Sequence, residues 1–424
     1  MFEQNTSQRL ASTGLRVILL IYLVSSAFAA SGSAPDAWQD NLTPLPASSW
    51  NQDTAAHLLE RAGFGGTPEQ IQALFELGVR DAVEQLVNFD RAGGTSALPF
   101  DHSGVHDPGL EPFPPSRPAT TELAKRTGEA LGIKVKPEGN RRLQPIVNKF
   151  FYWLRASRLE TERVAYWWAN RMLTTESPLQ EKMALFWHGH YAISEGKVRD
   201  YRKLLQELEL FHAVGTGNFH ELMLAVAKDP AMLAFLDAGV NVKGAPNENF
   251  AREIMELFTM GVGNYDEQDI REAARAFTGW NYVDLQFVFN EHEHDGARKV
   301  FLGRSGEFDG EEIIAMIMEQ PATAEYIAGK IYRFFVRTEL STELQSELGS
   351  VLRAADYEIA TLLETIFLSK DFYSDASVGT HIKSPVELAI STYKKLGLDS
   401  VPGVPDFNRT TGSLGQTLFR PPTV

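Results

Sequence analysis

The sequence predicts an all-α protein: one large helical domain carrying a small β hairpin near residues 285–302. Three observations lead there. Apolar residues recur at helical spacing over most of the chain, and one helix-start grammar appears at Thr67-Pro68-Glu69-Gln70, Ser177-Pro178-Leu179-Gln180 and Ser384-Pro385-Val386-Glu387. Only two short runs, Leu285–Asn290 and Lys299–Leu302, are β-prone. In each tetrad a hydroxyl can cap the helix, proline presets φ at the first helical position, and Gln or Glu three residues on can bond back to the cap. At 424 residues, 43% hydrophobic and 22% charged, the chain can bury a large core without covalent staples.

Residues 1–30 read as a cleavable secretory signal. Arg9 and Arg16 precede the apolar run from Val17 to Val24, and Ala27-Phe28-Ala29 has the small-x-small form that places cleavage after Ala29 or Ala30. The run from Val17 to Phe28 is shorter than the roughly 17–25 apolar residues of a spanning helix, so no stable membrane insertion is expected after cleavage. Without a paired arginine the general secretory route is expected, which makes the protein periplasmic or secreted. Residues 31–50, rich in Ala, Pro and Ser, form a tether, and the helical domain occupies 51–424.

Within that domain a first helix over Ala55–Ala62 stops at Gly63-Phe64-Gly65-Gly66 and a second starts at Thr67. Residues 91–138, with Pro112, Pro114, Pro115 and Pro118, are an irregular excursion holding one short helix around Thr121–Leu131. Helical patterns fill Leu143–Leu173, Leu204–Phe211, Asn247–Met260, Thr323–Val336 and Thr342–Leu368, and another helix starts at Asp266 and runs to Gly279. The two β-prone runs flank Glu291-His292-Glu293-His294-Asp295-Gly296 and are expected to pair with each other. No solenoid repeat is present.

Composition excludes several functions. With no cysteine there is no disulfide framework, thiolate metal site or thiol nucleophile. A net charge of −15 repels phosphate backbones, so no nucleic-acid partner is expected. The densest basic stretch (Lys125-Arg126, Lys134, Lys136, Arg141-Arg142) lacks interleaved aromatic platforms and reads as a solvated loop and helix start. There is no H-E-x-x-H zincin motif, second E-x-x-H helix, G-x-S-x-G elbow, Walker loop or dinucleotide fingerprint. Tyr166, Trp167 and Trp168 read as core residues rather than a sugar-stacking platform.

Five strings occur in order: RAGFGGTP at Arg61–Pro68, FWHGHYA at Phe186–Ala192, NENFAREIMELFTMGVGNY at Asn247–Tyr265, EAARAFTGW at Glu272–Trp280 and HDGARKVFLG at His294–Gly303. Together they resemble the bacterial family catalogued as domain of unknown function 1800, over nearly all of the mature chain. The resemblance implies a large, exported, helical protein, often encoded beside a second exported family of unknown function, and no established activity. It also implies a longer C-terminus, because members usually continue past the string resembling LGQTLFRPPTV at Leu414–Val424, so a truncated product is expected.

Three polar groups stand out. On a continuing helix His188 and His190 point about 200° apart. His190 shares a face with Met183, Phe186 and Trp187, which suits a core histidine bonded to a carbonyl. If Gly189 ends the helix, both imidazoles can turn to one point and suit a divalent metal such as zinc, copper or iron. Asn249, Arg252, Glu253 and Glu256 form a polar stripe that an ordinary surface helix would also show. In a cleft, Glu253 becomes a general base or ligand and Arg252 a clamp for an anionic group. His294 and Asp295 lie in the presumed hairpin loop, while His292 falls outside the family string. Two function classes follow. One is a metal-assisted or acid-base hydrolase with His188 or His190, Glu253, His294 and Asp295 converging and Arg252 holding an anion. The other is a non-catalytic binding or assembly protein acting with a co-exported partner.

Overall fold

The structure, a computed structural model, describes residues 38–89, 99–103, 125–126, 129–130, 132, 144–404 and 406–421. The expected signal, residues 31–37 of the tether and most of the 91–138 excursion lie outside the described residues, as do Lys134, Lys136, Arg141 and Arg142.

The described chain is mainly helical. An N-terminal group, α1 (Gln52–Ala62), α2 (Pro68–Leu77) and α3 (Val79–Val87), leads to the 31-residue α4 (Gln144–Thr174). Next come α5 (Pro178–Tyr191), α6 (Glu195–Val198), α7 (Tyr201–Val214), α8 (Phe219–Ala227) and α9 (Pro230–Phe235). The following helix, α10 (Glu248–Glu253), continues as a π turn over Ile254–Thr259 and is followed by α11 (Glu267–Ala276). Beyond two hairpins lie α12 (Gly310–Met318), α13 (Pro321–Phe335), α14 (Thr342–Ala354), α15 (Ile359–Leu368), α16 (Pro385–Lys395) and α17 (Phe407–Ser413). Buried apolar residues from Leu45 to Phe419 form one continuous cluster. No described helix is long and apolar enough to cross a membrane.

Helix α5 sits inside that cluster. All but two of its residues are buried, including Glu181, Lys182, His188 and His190, so it has no solvated face on which to place them. Each buried polar group therefore needs a partner within the protein. Glu181 receives the Trp168 indole N–H at 2.9 Å, Arg171 at 2.7 Å and His212 at 2.8 Å. Burial works to raise its pKa, but those donors outweigh it and hold the carboxyl below its ordinary value. Lys182 pairs with Glu387 of α16 and lies over the Phe64 ring.

The capping grammar holds at Thr67 and Ser384, where both halves of each capping box form, and at Asp266 with Asp269. At Ser177 the helix starts as expected but the box does not form. The Ser177 side chain makes no cap bond, and Gln180 instead donates to the His212 carbonyl at 2.9 Å. The stretch expected as one helix over Thr342–Leu368 is two, broken where Asp356 and Tyr357 take positive φ of 50° and 65°. Tyr357 there donates its hydroxyl to the Met318 carbonyl at 2.5 Å, a tertiary bond that no local periodicity announces.

The β-prone runs do not pair with each other. Strand β1 (Trp280–Val283) pairs antiparallel with β2 (Gln286–Phe289), and β3 (Lys299–Phe301) with β4 (Arg304–Gly306). A positive φ at Asp284 closes the first hairpin, and positive φ at Leu302 and Gly303 closes the second. Each run is thereby folded onto its immediate neighbour, and two small hairpins replace the expected one.

Candidate functional site

Gly189 does not end α5. The helix runs through Tyr191 and stops at Ala192 in the left-handed region, φ 50°. His188 and His190 therefore stay on different sides and never reach a common point. His188 accepts a hydrogen bond at Nε2 from the Phe419 amide at 2.9 Å and lies edge-on to Trp168 and Phe419. An imidazole that accepts at Nε2 is neutral, with its proton on Nδ1. Burial pushes its pKa down to about 4.

His190 is the mirror case. Its Nε2 donates to the Phe258 carbonyl at 3.2 Å, while Nδ1 is buried without a partner. Burial first, and then the charge of Lys330, push its pKa down to about 3 against the opposing pull of the Phe258 carbonyl. It is the carbonyl-bonded core histidine that its helix face predicts. The acceptor is free because α10 widens there into a π turn. Thr259 donates its hydroxyl to the Ile254 carbonyl at 2.6 Å, and the Met260 amide reaches back five residues to Met255 at 3.0 Å. The next released carbonyl, Leu257, takes the Tyr326 hydroxyl at 3.1 Å.

Arg252 and Glu253 diverge. Arg252 points to the surface, pairing with Glu267 at 2.8 Å and Glu248 at 3.1 Å, and these partners raise its pKa. Glu253 lines a groove of about 220 Å³ with Tyr191, Ala192, Lys197, Phe235, Leu236, Asn249, Leu257 and Phe258. Among the described residues its carboxylate makes no hydrogen bond or ion pair. Burial first, and then the nearby Glu256 charge, raise its pKa, with Arg252 opposing.

His294 and Asp295 hold the hairpins against α11. His294 Nδ1 bonds to the Thr278 carbonyl at 2.9 Å and its ring meets the Phe289 edge. The Asp295 amide donates to the Thr278 hydroxyl at 2.7 Å, and its carboxylate takes Arg275 at 2.8 Å and the Ala297 amide at 3.0 Å. The Arg275 hydrogen bond is the main reason its pKa falls below the ordinary value. Lys299, fully buried, donates to the Asp295 carbonyl at 2.6 Å and closes the knot. No hydrogen bond or ion pair joins any two of His190, Glu253 and His294, and among the described residues no group of three or more His, Asp or Glu is arranged to hold a metal ion.

A family model described as a protein of unknown function (DUF1800) matches residues 57–424. The chain belongs to the DUF1800 family. No curated protein and no solved structure matches it. Three of the strings that suggest DUF1800 membership have structural jobs here. The RAGFGGTP turn packs against α5 and back onto α1, since a Cβ on Gly63 would sit 2.9 Å from Pro178 of α5 and one on Gly66 2.4 Å from Leu59 of α1. FWHGHYA supplies the buried end of α5, and HDGARKVFLG the hairpin knot.

Two buried groups escape the sequence reading. Glu207 sits on the core face of α7 with one carboxylate oxygen unpartnered, and burial plus the neighbouring Asp229 push its pKa well up. Lys394 of α16 is 7% exposed and lines a cavity of about 610 Å³. Both are visible as charged residues inside an apolar row. Glu207 sits among Leu204, Leu208 and Phe211, and Lys394 follows Val386 and Ile390 at intervals of four.

Proposed function

We propose that this protein works by binding rather than by hydrolysis at the candidate residues, and that the groove over Glu253 takes an alkylammonium group. One observation carries the reading. Of the six candidate side chains, only Glu253 lacks a partner, while the other five already hold a backbone group or an ion-pair partner. A hydrolytic site needs a base, a nucleophile or activated water, and donors for the developing charge, gathered within hydrogen-bond reach. Glu253 has no such company in its groove. It has apolar walls from Phe235, Leu236, Leu257 and Phe258, which suit the alkyl part of an amine whose charge meets the carboxylate. Lys197 on the same groove is already paired with Asp237 at 2.8 Å.

On this reading the protein acts outside the cytoplasm beside a co-exported partner, supported by the leader-like residues 1–30 and by the family resemblance. Calorimetric titration with butylamine and butanol tests the groove. The amine is expected to bind at least fivefold more weakly to Glu253→Gln than to the wild type, with the alcohol unaffected. A hydrolytic activity lost in His190→Ala or His294→Ala protein that keeps its wild-type melting temperature would overturn the binding reading.

A further inference from the structure

The cavity at the α1–α2 end of the molecule is walled by Leu59, Leu74, Leu77, Leu86, Phe89 and Pro178. Its size falls within the range of small-molecule sites, roughly 300–1,000 Å³. Gln70, Gln85 and the Thr174–Ser177 turn make the rest of the wall polar, and one amine enters the space. Lys394 lies on α16 in register with the fully buried Val386 and Ile390, so the helix face that carries it is turned inward. Among the described residues the Lys394 ammonium makes no hydrogen bond and no ion pair.

The carboxylates around it are engaged elsewhere. Glu60 holds Lys383 at 2.5 Å and Lys395 at 2.8 Å, and Glu387 holds Lys182. Glu176, the carboxylate among the lining residues, is exposed. Three lysines and Arg61 therefore share two carboxylates, and Lys394 is left as a surplus cation inside a chain whose overall charge is −15. A buried charge with no counter-ion is expensive. Burial alone pushes the pKa of Lys394 down to about 8.

We infer that this cavity binds an apolar carboxylate, a medium-length acyl chain whose terminal –COO⁻ is the missing counter-ion of Lys394. The apolar side of the wall, Leu59, Leu74, Leu77, Leu86 and Phe89, meets the chain and the ammonium fixes which end points inward. A phosphate ester fits less well. The Thr174 hydroxyl is already donated to the Asn170 carbonyl, and Lys394 is the one cation in the lining, which matches a monoanion better than a dianion. The site is separate from the Glu253 groove and shares no lining residue with it.

The test is calorimetric titration of the full chain with decanoate and, separately, decanol. Decanoate is expected to bind the wild type at least tenfold more tightly than decanol. Lys394→Met is expected to lose that tenfold preference and to keep its decanol affinity. Leu74→Trp, which fills the cavity from its apolar side, is expected to lose both ligands, with circular dichroism confirming that each variant is folded. Equal affinity of the wild type for the two ligands, undiminished decanoate binding by folded Lys394→Met or Leu74→Trp protein, or no binding of decanoate at all would each overturn the assignment. None of these outcomes bears on amine binding at Glu253.

Discussion

The end of α5 and the end of α16 both carry basic side chains into the interior, and they differ in what those side chains meet. His188 and His190 each give one ring nitrogen to a backbone group, Phe419 N–H and Phe258 C=O, and aromatic rings surround both. Lys394 meets a cavity instead. A buried polar group that completes the hydrogen bonding of its neighbours is explained by the fold, because the fold is less stable without it. A buried charge that completes nothing is unexplained by the fold, and in this protein it stands where a ligand would fit. Residue type alone does not separate the two cases; partnership does.

That contrast can be broken by mutation, and the largest effect is expected at α5. His190→Ala removes an aromatic-sized side chain from the core and orphans the Phe258 carbonyl, so urea unfolding should show a loss of about 3 kcal/mol. An unchanged midpoint would remove His190 from the scaffold. Lys394→Met should act in the opposite direction, raising stability by about 2 kcal/mol at pH 7 because it removes an uncompensated buried charge. The sign follows from the proton balance. The amine protonates below about 10.5 when unfolded but only below about 8 when folded, so stability is lost as pH falls from 10.5 through 8. Lys394→Met should flatten that limb of the profile. The histidines govern a lower window. His57, His188 and His190 fall from 6.5 to about 4, 4 and 3, so their contribution is complete above pH 6.5 and is lost as pH drops toward 4.

Smaller effects sharpen the same contrast. Asp295→Ala leaves the Ala297 amide and part of Arg275 without an acceptor in a half-buried knot, and thermal melting should report a loss of about 1–2 kcal/mol. Glu207→Gln replaces a core carboxyl that must stay protonated. The wild type loses stability as pH rises above about 4.5 toward the raised folded value, and the amide should remove that slope. Arg252→Ala breaks only surface pairs and should cost no more than about 0.5 kcal/mol in the same assay.

The fold is largely legible in the sequence because its helices announce themselves locally. Proline at the first position after Thr67, Ser177 and Ser384, and the Asp266/Asp269 pair, mark starts that the structure keeps. What stays hidden depends on tertiary partners. The π turn over Ile254–Thr259 is held by Tyr326 and His190 from other helices, the break at Asp356–Tyr357 by Met318, and the hairpin pairing by turns at Asp284 and Leu302-Gly303. The candidate residues are legible as unusual, whereas their bonding is not, since the partners of His188 and His294 lie 231 and 16 residues away in sequence. Lys394 escapes notice because a lysine closing an apolar row usually snorkels to solvent, and the sequence does not show that its exit is a cavity.

The central claim, that the buried imidazoles belong to the scaffold and not to a metal or acid-base site, is tested most directly by nitrogen-15 NMR of the histidine rings across pH 8 to 5, with and without added zinc. His188 should remain neutral with its proton on Nδ1 and His190 neutral with its proton on Nε2, neither responding to zinc. Titration of either ring with a midpoint near 6.5, or a shift of either ring on zinc addition, would contradict it.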